Sequence, residues 1–333
     1  MKNYLLFILI FFSMALNAVP ILTNVFIKNA DSLYISFEIL NLDAKFTKLD
    51  VACFNDSIEY KINADFESKI LNEGMNDISI KKELLPQDFD LKRYKILPKL
   101  LYKGRIYYEM KKINGGSYPY SVDKKTMELV TVRDYYISKF EITNEQFAAF
   151  VNADGYEFQE YWEISSNLMS KEDIGWYYLS KYKMTLPHGW SFKENPFYKK
   201  APSHFRYSPV TNIRWFEAYA FANWMECELP TFEQMQVAFV KSKVSGKGKF
   251  SGISEFKNGK YPLQKIRDGV SEWLESGVEP NSIACAGCNE MYLIENNSDY
   301  VLDKLSYAVK CPLFRAPFLG SRIVINTDRS RIK

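Results

Sequence analysis

The residues most able to do chemistry are five cysteines, two histidines and one carboxylate-bearing turn. Cys285 and Cys288 form CAGC, Cys311 follows, and Cys53 and Cys227 stand alone. A lone CxxC supplies two of the four ligands that structural zinc takes. The histidines, His188 and His204, lie in separate loop-like segments, so a three-histidine metal centre cannot be assembled. Cys285, Cys288 and Cys311 therefore keep several readings: reduced core thiols, which we favour, a disulfide, or a thiol metal site. An odd count leaves at least one cysteine unpaired within the chain. A serine or cysteine nucleophile activated by either histidine has no local support, and each histidine reads as a loop residue satisfied by a nearby carbonyl.

The carboxylate-bearing turn is KIRDGVSEW, Lys265 to Trp273. A Gly turn between Asp268 and Glu272 has the look of a metal loop, yet Lys265 places a cation where an oxygen ligand would be wanted. The sequence has no phosphate-binding P-loop, no GxGxxG and no GxSxG, so nucleotide and α/β-hydrolase chemistry lack their usual carriers.

The elements that would position these residues fall into two regions. Residues 1–18 read as a signal peptide: Met1-Lys2, an apolar run from Leu5 to Phe12, then small residues at Ser13, Ala15 and Ala18. That run is shorter than the ~20 apolar residues of a membrane span. We expect export to the periplasm or beyond, and a mature chain without a transmembrane segment. With 43 basic and 40 acidic residues spread evenly, no nucleic-acid partner is indicated. Residues 19–94 alternate apolar and polar side chains in SLYISFEIL, KLDVACF and NDISI, which predicts a small antiparallel β-sandwich. Two prolines and alternating charge in ELLPQDFDLKRYKILPKL, residues 83–100, suggest a linker, which we bound at 95–106. The second domain, 107–333, carries three helix signals. EITNEQFAAFV and LPTFEQMQVAF each place Gln three residues after a Thr N-cap, as in a capping box. RWFEAYAFANWMEC is apolar around most of its circumference and predicts a buried helix. The rest reads as short strands and long loops. Aromatics make up 16% of the chain, enough to build a core around irregular backbone.

Several stretches in order resemble one family. INGGSYPY, VRDYYISKFEITNEQFAAFV, SPVTNIRWFEAYAFANWMECELPTFEQMQVAF, GVSEW and FLGSRIV resemble the successive signatures of the formylglycine-generating enzymes, or sulfatase-modifying factors. The resemblance runs from Ile113 to Val324 and implies an α+β, C-type-lectin-like fold with little regular structure. It also implies an activity: oxidation of a sulfatase cysteine to formylglycine, using oxygen and copper(I) held by two cysteines. Those two positions fall at Leu302 and Tyr307 here. Copper(I) is soft and prefers thiolates, which neither side chain supplies. Cys311 with Cys285 would make a shifted thiol site only under demanding geometry. The resemblance further implies a calcium loop at Lys265, Asp268 and Glu272. Calcium takes six to eight oxygens, and Lys265 in place of a ligand suggests a degenerate loop in which its ammonium pairs with Glu272.

The resulting expectation is an exported non-catalytic binding or scaffold protein, a pseudoenzyme, with no cofactor and an envelope protein or glycan as partner. Two alternatives remain: a sulfatase-maturing oxidoreductase, and a lectin using Glu279 and Asn281 of EPN. The aromatic-rich stretch 156–184 is the candidate surface, with packing of Trp162, Trp176 and Tyr177 onto the domain as the competing reading.

Overall fold

The computed structural model describes residues 19–55, 58–62, 64–66, 68–121, 127–164, 174–181, 183, 187, 190, 206–242, 270–279, 282–286, 307–310, 315 and 319–327. The signal-peptide reading of 1–18 lies outside them. Two antiparallel sheets come first. β1 (Ile21–Asn29), β2 (Ser32–Leu40) and β5 (Gly74–Lys81) form one, in the order β1-β2-β5. β3 (Thr47–Phe54), β4 (Glu59–Tyr60), β6 (Lys95–Tyr102) and β7 (Arg105–Tyr107) form the other, in the order β4-β3-β6-β7. Alternation sends Leu33, Ile35, Phe37 and Ile39 of β2 inward, where they share one core with Leu49, Val51 and Cys53 of β3 and Ile96 and Leu100 of β6. Each such aliphatic side chain stabilises the fold by roughly 1.5–3 kcal/mol relative to exposure.

The stretch expected to be a linker, 95–106, is strand. β6 pairs along its whole length with β3, and Ile96, Leu97 and Leu100 are buried. The misleading signal was Pro98. A proline cannot donate to a ladder and is tolerated where one side of a strand lacks a neighbour. β7 pairs only with Leu100, Leu101 and Tyr102, so β6 is locally an edge at Pro98, which faces Val51 alone.

The later region holds the expected α+β mixture. β8 (Met110–Ile113), β11 (Tyr135–Ser138) and β16 (Val324–Asn326) make a sheet ordered β16-β11-β8. β9 (Gly116–Ser121) and β10 (Met127–Val132) form a hairpin. β12 (Ser271–Glu279), β13 (Ser282–Ala286), β14 (Tyr307–Lys310) and β15 (Leu319–Ser321) form a sheet ordered β14-β13-β12-β15, in which β15 runs parallel to β12.

Among the described residues there are four α-helices. α1 (Asn144–Asn152) carries the predicted capping box: Gln146 N donates to Thr143 Oγ1 at 3.1 Å, and Thr143 N donates to Gln146 Oε1 at 3.1 Å. α3 (Trp215–Trp224) is buried on nearly every side, as its apolar circumference requires. α4 (Phe232–Ser242) repeats the cap through Thr231 and Gln234. α2 (Ile174–Lys181) lies inside the stretch read as loop. Its aromatic residues give a weak helical period, and Gly175 seats it close to Trp162, whose carbonyl oxygen would lie 2.6 Å from an added Cβ. None of the helices among the described residues is long and apolar enough to cross a membrane.

Candidate functional site

The signature motifs meet at Arg322. This side chain is fully buried, which is rare for an arginine and demands partners. Its Nε donates to Glu272 Oε1 at 3.0 Å. One terminal nitrogen donates to the carbonyls of Lys139, at 2.8 Å, and Ser138, at 3.2 Å. The other lies 3.3 Å from Glu141 Oε1. Both carboxylates are almost completely buried. One guanidinium therefore joins FLGSRIV, GVSEW and SKFEITN.

The backbone sets this geometry. Ile142 N donates to Ser321 O at 2.8 Å, Ser138 N to Ile323 O at 3.0 Å, and Asn212 N to Leu319 O at 3.1 Å. A Cβ on Gly320 would stand 2.6 Å from the Val210 carbonyl oxygen, so only glycine lets SPVTN approach β15. Two indoles fasten α3 to β12: Trp273 Nε1 donates to Ile213 O at 3.0 Å, and Trp215 Nε1 to Leu274 O at 2.8 Å. Burial pushes the Glu272 carboxyl upward, Arg322 opposes this, and Glu141 adds to it. Two buried carboxylates sharing one permanent cation form an architectural bond.

A second buried ionic cluster joins the N-terminal sheets to the later region. Glu145, in the first turn of α1, accepts from Lys99 of β6 at 2.8 Å and from Arg206 at 2.7 Å, and Tyr108 also donates to it. Asp50 of β3 lies 3.2 Å from Lys99. Glu59 of β4 pairs with Arg206 and accepts from Tyr207 at 2.8 Å. Burial raises the Glu145 pKa, but Lys99 and Arg206 outweigh it and hold it below the ordinary glutamate value. A third cluster centres on Glu109, which pairs with Lys111 and, at 2.6 Å, with Lys139 beside a small cavity lined in part by Val25, Pro98 and Phe140. Burial pulls the Lys139 ammonium below its ordinary value against the pull of Glu109.

Of the residues singled out in the sequence, Glu272 is placed in full, and its partner is Arg322. Lys265 and Asp268, and with them the Lys265–Glu272 pairing, lie outside the described residues, as do Cys288, Leu302, Cys311, His188, His204 and Asn281. Backbone register aligns Gly320, Glu272, Ala286 and Tyr307 in one row across the sheet, and Ser321, Trp273, Cys285 and Ala308 in the next. The sheet thus brings Cys285 and Tyr307 onto neighbouring strands, two of the positions that bear on a thiol site. Glu279 ends β12. Within 156–184, Trp162 is buried and donates to Gly155 O at 2.9 Å, Trp176 is half-buried, and Tyr177 is exposed. The sequence reading missed Arg322, Glu141 and the Lys99–Glu145–Arg206 set. Their available signal was a charge inside an otherwise apolar motif, as in FLGSRIV and YKILPKLLY.

The residues that the resemblance names for metals are poor donors for them. Glu272, the calcium ligand the resemblance implies, is buried with its carboxylate bonded to Arg322. Copper(I) needs thiolates, and Leu302 and Tyr307 offer none. Cys53 and Cys227 are both buried, and burial pushes the Cys53 thiol up to about 12, where it is not a thiolate at neutral pH. Among the described residues no group of three or more His, Cys, Asp or Glu side chains could hold a metal ion.

Hercynine oxygenase of Mycolicibacterium thermoresistibile is 26% identical over 137 residues, covering 39% of this chain. The chain spans only 27% of that relative's length. The crystal structure of CarF, 16% identical, covers 66% of this chain and 98% of its own, with a TM-score of 0.35. The sulfatase-modifying factor enzyme 1-like domain matches residues 103–281, more than half of the sequence. On that match, the chain belongs to the sulfatase-modifying factor family.

Proposed function

We propose that this family member is an exported, non-catalytic binding or scaffold component of the cell envelope. The carrying observation is the pair Leu302 and Tyr307 at the positions where the resemblance puts the copper-holding cysteines. A leucine methyl group and a phenol cannot replace two soft thiolates. The buried Arg322–Glu272–Glu141 set supports the same reading, because it accounts for the retained signature residues by folding alone. The apolar run near Met1, with small residues following, supports export.

The hercynine oxygenase relative favours one competing reading, an oxidative enzyme with a relocated thiol site drawn from Cys285, Cys288 and Cys311. The test is incubation of the purified chain with copper(I), oxygen, a thiol reductant to supply the second electron pair, and a cysteine-containing sulfatase peptide, read by mass spectrometry. No aldehyde is expected to form in the peptide. Aldehyde formation that depends on the protein and is lost in Cys285→Ala would establish the enzymatic reading in its place.

A further inference from the structure

We infer that the export signal ends at Ala15, so that a signal peptidase hydrolyses the Ala15–Leu16 bond and the mature chain begins at Leu16. The inference rests on the export reading proposed above and shortens the signal from 1–18 to 1–15.

The sequence offers two bonds, one after Ala15 and one after Ala18. A signal peptidase reads small side chains just before the cut and two positions further back, an A-x-A-like pattern. Ser13-Met14-Ala15 supplies both for a cut after Ala15. A cut after Ala18 would put Leu16 in the second position, where a branched side chain replaces a small one.

The fold separates the same two bonds on independent grounds. Val19 is 0% exposed, and burial continues without a break through Pro20, Ile21, Leu22 and Thr23. Val19 shares one core with Leu22 and with Leu33 and Phe37 of β2. Its carbonyl accepts from Asn41 Nδ2 at 3.4 Å, which ties the approach to β1 to the turn that follows β2. That turn is itself fixed. Asn41 sits in the left-handed region at φ 57°, and the amides of Asn41 and Leu42 donate to Glu73 at 2.9 and 2.6 Å.

A cut after Ala18 would turn the Val19 nitrogen into an ammonium. At a residue with no exposed surface that charge would lose its hydration, which is costly unless the charge is paired. Otherwise Val19 would have to leave the core and lose the stabilisation of its burial. A cut after Ala15 avoids both. Water adds across the Ala15–Leu16 bond: the C–N bond breaks, the Ala15 carbonyl becomes a carboxylate, and the Leu16 nitrogen becomes the ammonium. Leu16, Asn17 and Ala18 span up to about 10 Å, enough to carry that ammonium from Val19 into water. Recognition by the peptidase and packing of the mature chain therefore select the same bond.

N-terminal sequencing of the chain exported from a bacterial host tests this. The expected first residue is Leu16. Ala15→Leu abolishes the cut, and Ala18→Leu leaves it unchanged. A mature chain that begins at Val19, or at any other residue, overturns the inference while leaving the export reading in place. A chain that keeps Met1 overturns the inference, and its retention inside the cell overturns the export reading as well. A second measurement is independent of the peptidase. Chains released from a fusion, one beginning at Leu16 and the other at Val19, are melted side by side. The chain beginning at Val19 is expected to melt several degrees lower, and equal midpoints overturn the inference.

Discussion

Arg322→Met lowers the unfolding free energy by about 3–5 kcal/mol, the range for breaking a buried ion pair by removing one partner. Methionine fills much of the volume but donates nothing. Glu272 and Glu141 lose their common cation, and the carbonyls of Ser138 and Lys139 lose their donor. Against a typical stability of about 5–15 kcal/mol, the loss is large enough to show directly in urea denaturation. The pH dependence identifies the cause. Burial raises the stranded Glu272 carboxyl above its unfolded value, so it costs nothing where protonated and destabilises progressively as pH rises. The deficit is therefore smallest in mild acid and grows toward neutrality. Glu272→Gln added to Arg322→Met recovers part of it, because a buried amide is cheaper than a buried charge. A deficit independent of pH, with no recovery, would mean that Arg322 acts by packing alone.

Glu145→Gln is the second large effect, expected at about 3 kcal/mol, the low end of the buried-pair range, because other carboxylates remain nearby. Lys99 keeps Asp50, and Arg206 keeps Glu59. Here the sign of the pH dependence is opposite. The folded Glu145 pKa is depressed, so its contribution is fully present above the ordinary glutamate value of 4.5 and is lost as pH falls through the depressed one. The stability gap between the native chain and Glu145→Gln is flat from neutral pH down to that region, then closes in acid. Because the cluster joins β3, β4 and β6 to α1 and Arg206, the variant should also split one thermal unfolding transition into two by calorimetry. A single unsplit transition with an undiminished gap in acid would place the effect elsewhere.

How much of this was legible in the sequence depends on whether a residue's role is local or distant. The caps at Thr143 and Thr231 were readable because both partners lie within three residues. Strand β2 was readable because period-two alternation is a local signal with a buried face behind it. Pro98 misled because what excuses a proline is the missing neighbour beside it, and neighbours are set by topology. Arg322 was quoted within a motif, yet its role depends on Glu272 and Glu141, which lie 50 and more residues away. The same distance hid the partner of Glu272. A carboxylate beside a Gly turn looks like a metal ligand until the strand that leads into Arg322 is laid parallel to its own.

Glu272 is bound to Arg322 rather than left for a metal, and one measurement reaches this directly. The full chain is melted in calcium and in chelator at matched ionic strength. The same midpoint is expected in both, because the carboxylate that would hold the ion is buried against a guanidinium. A rise in midpoint with calcium concentration, as mass action gives for any ligand that binds only the folded state, would contradict it if Glu272→Gln abolished that rise.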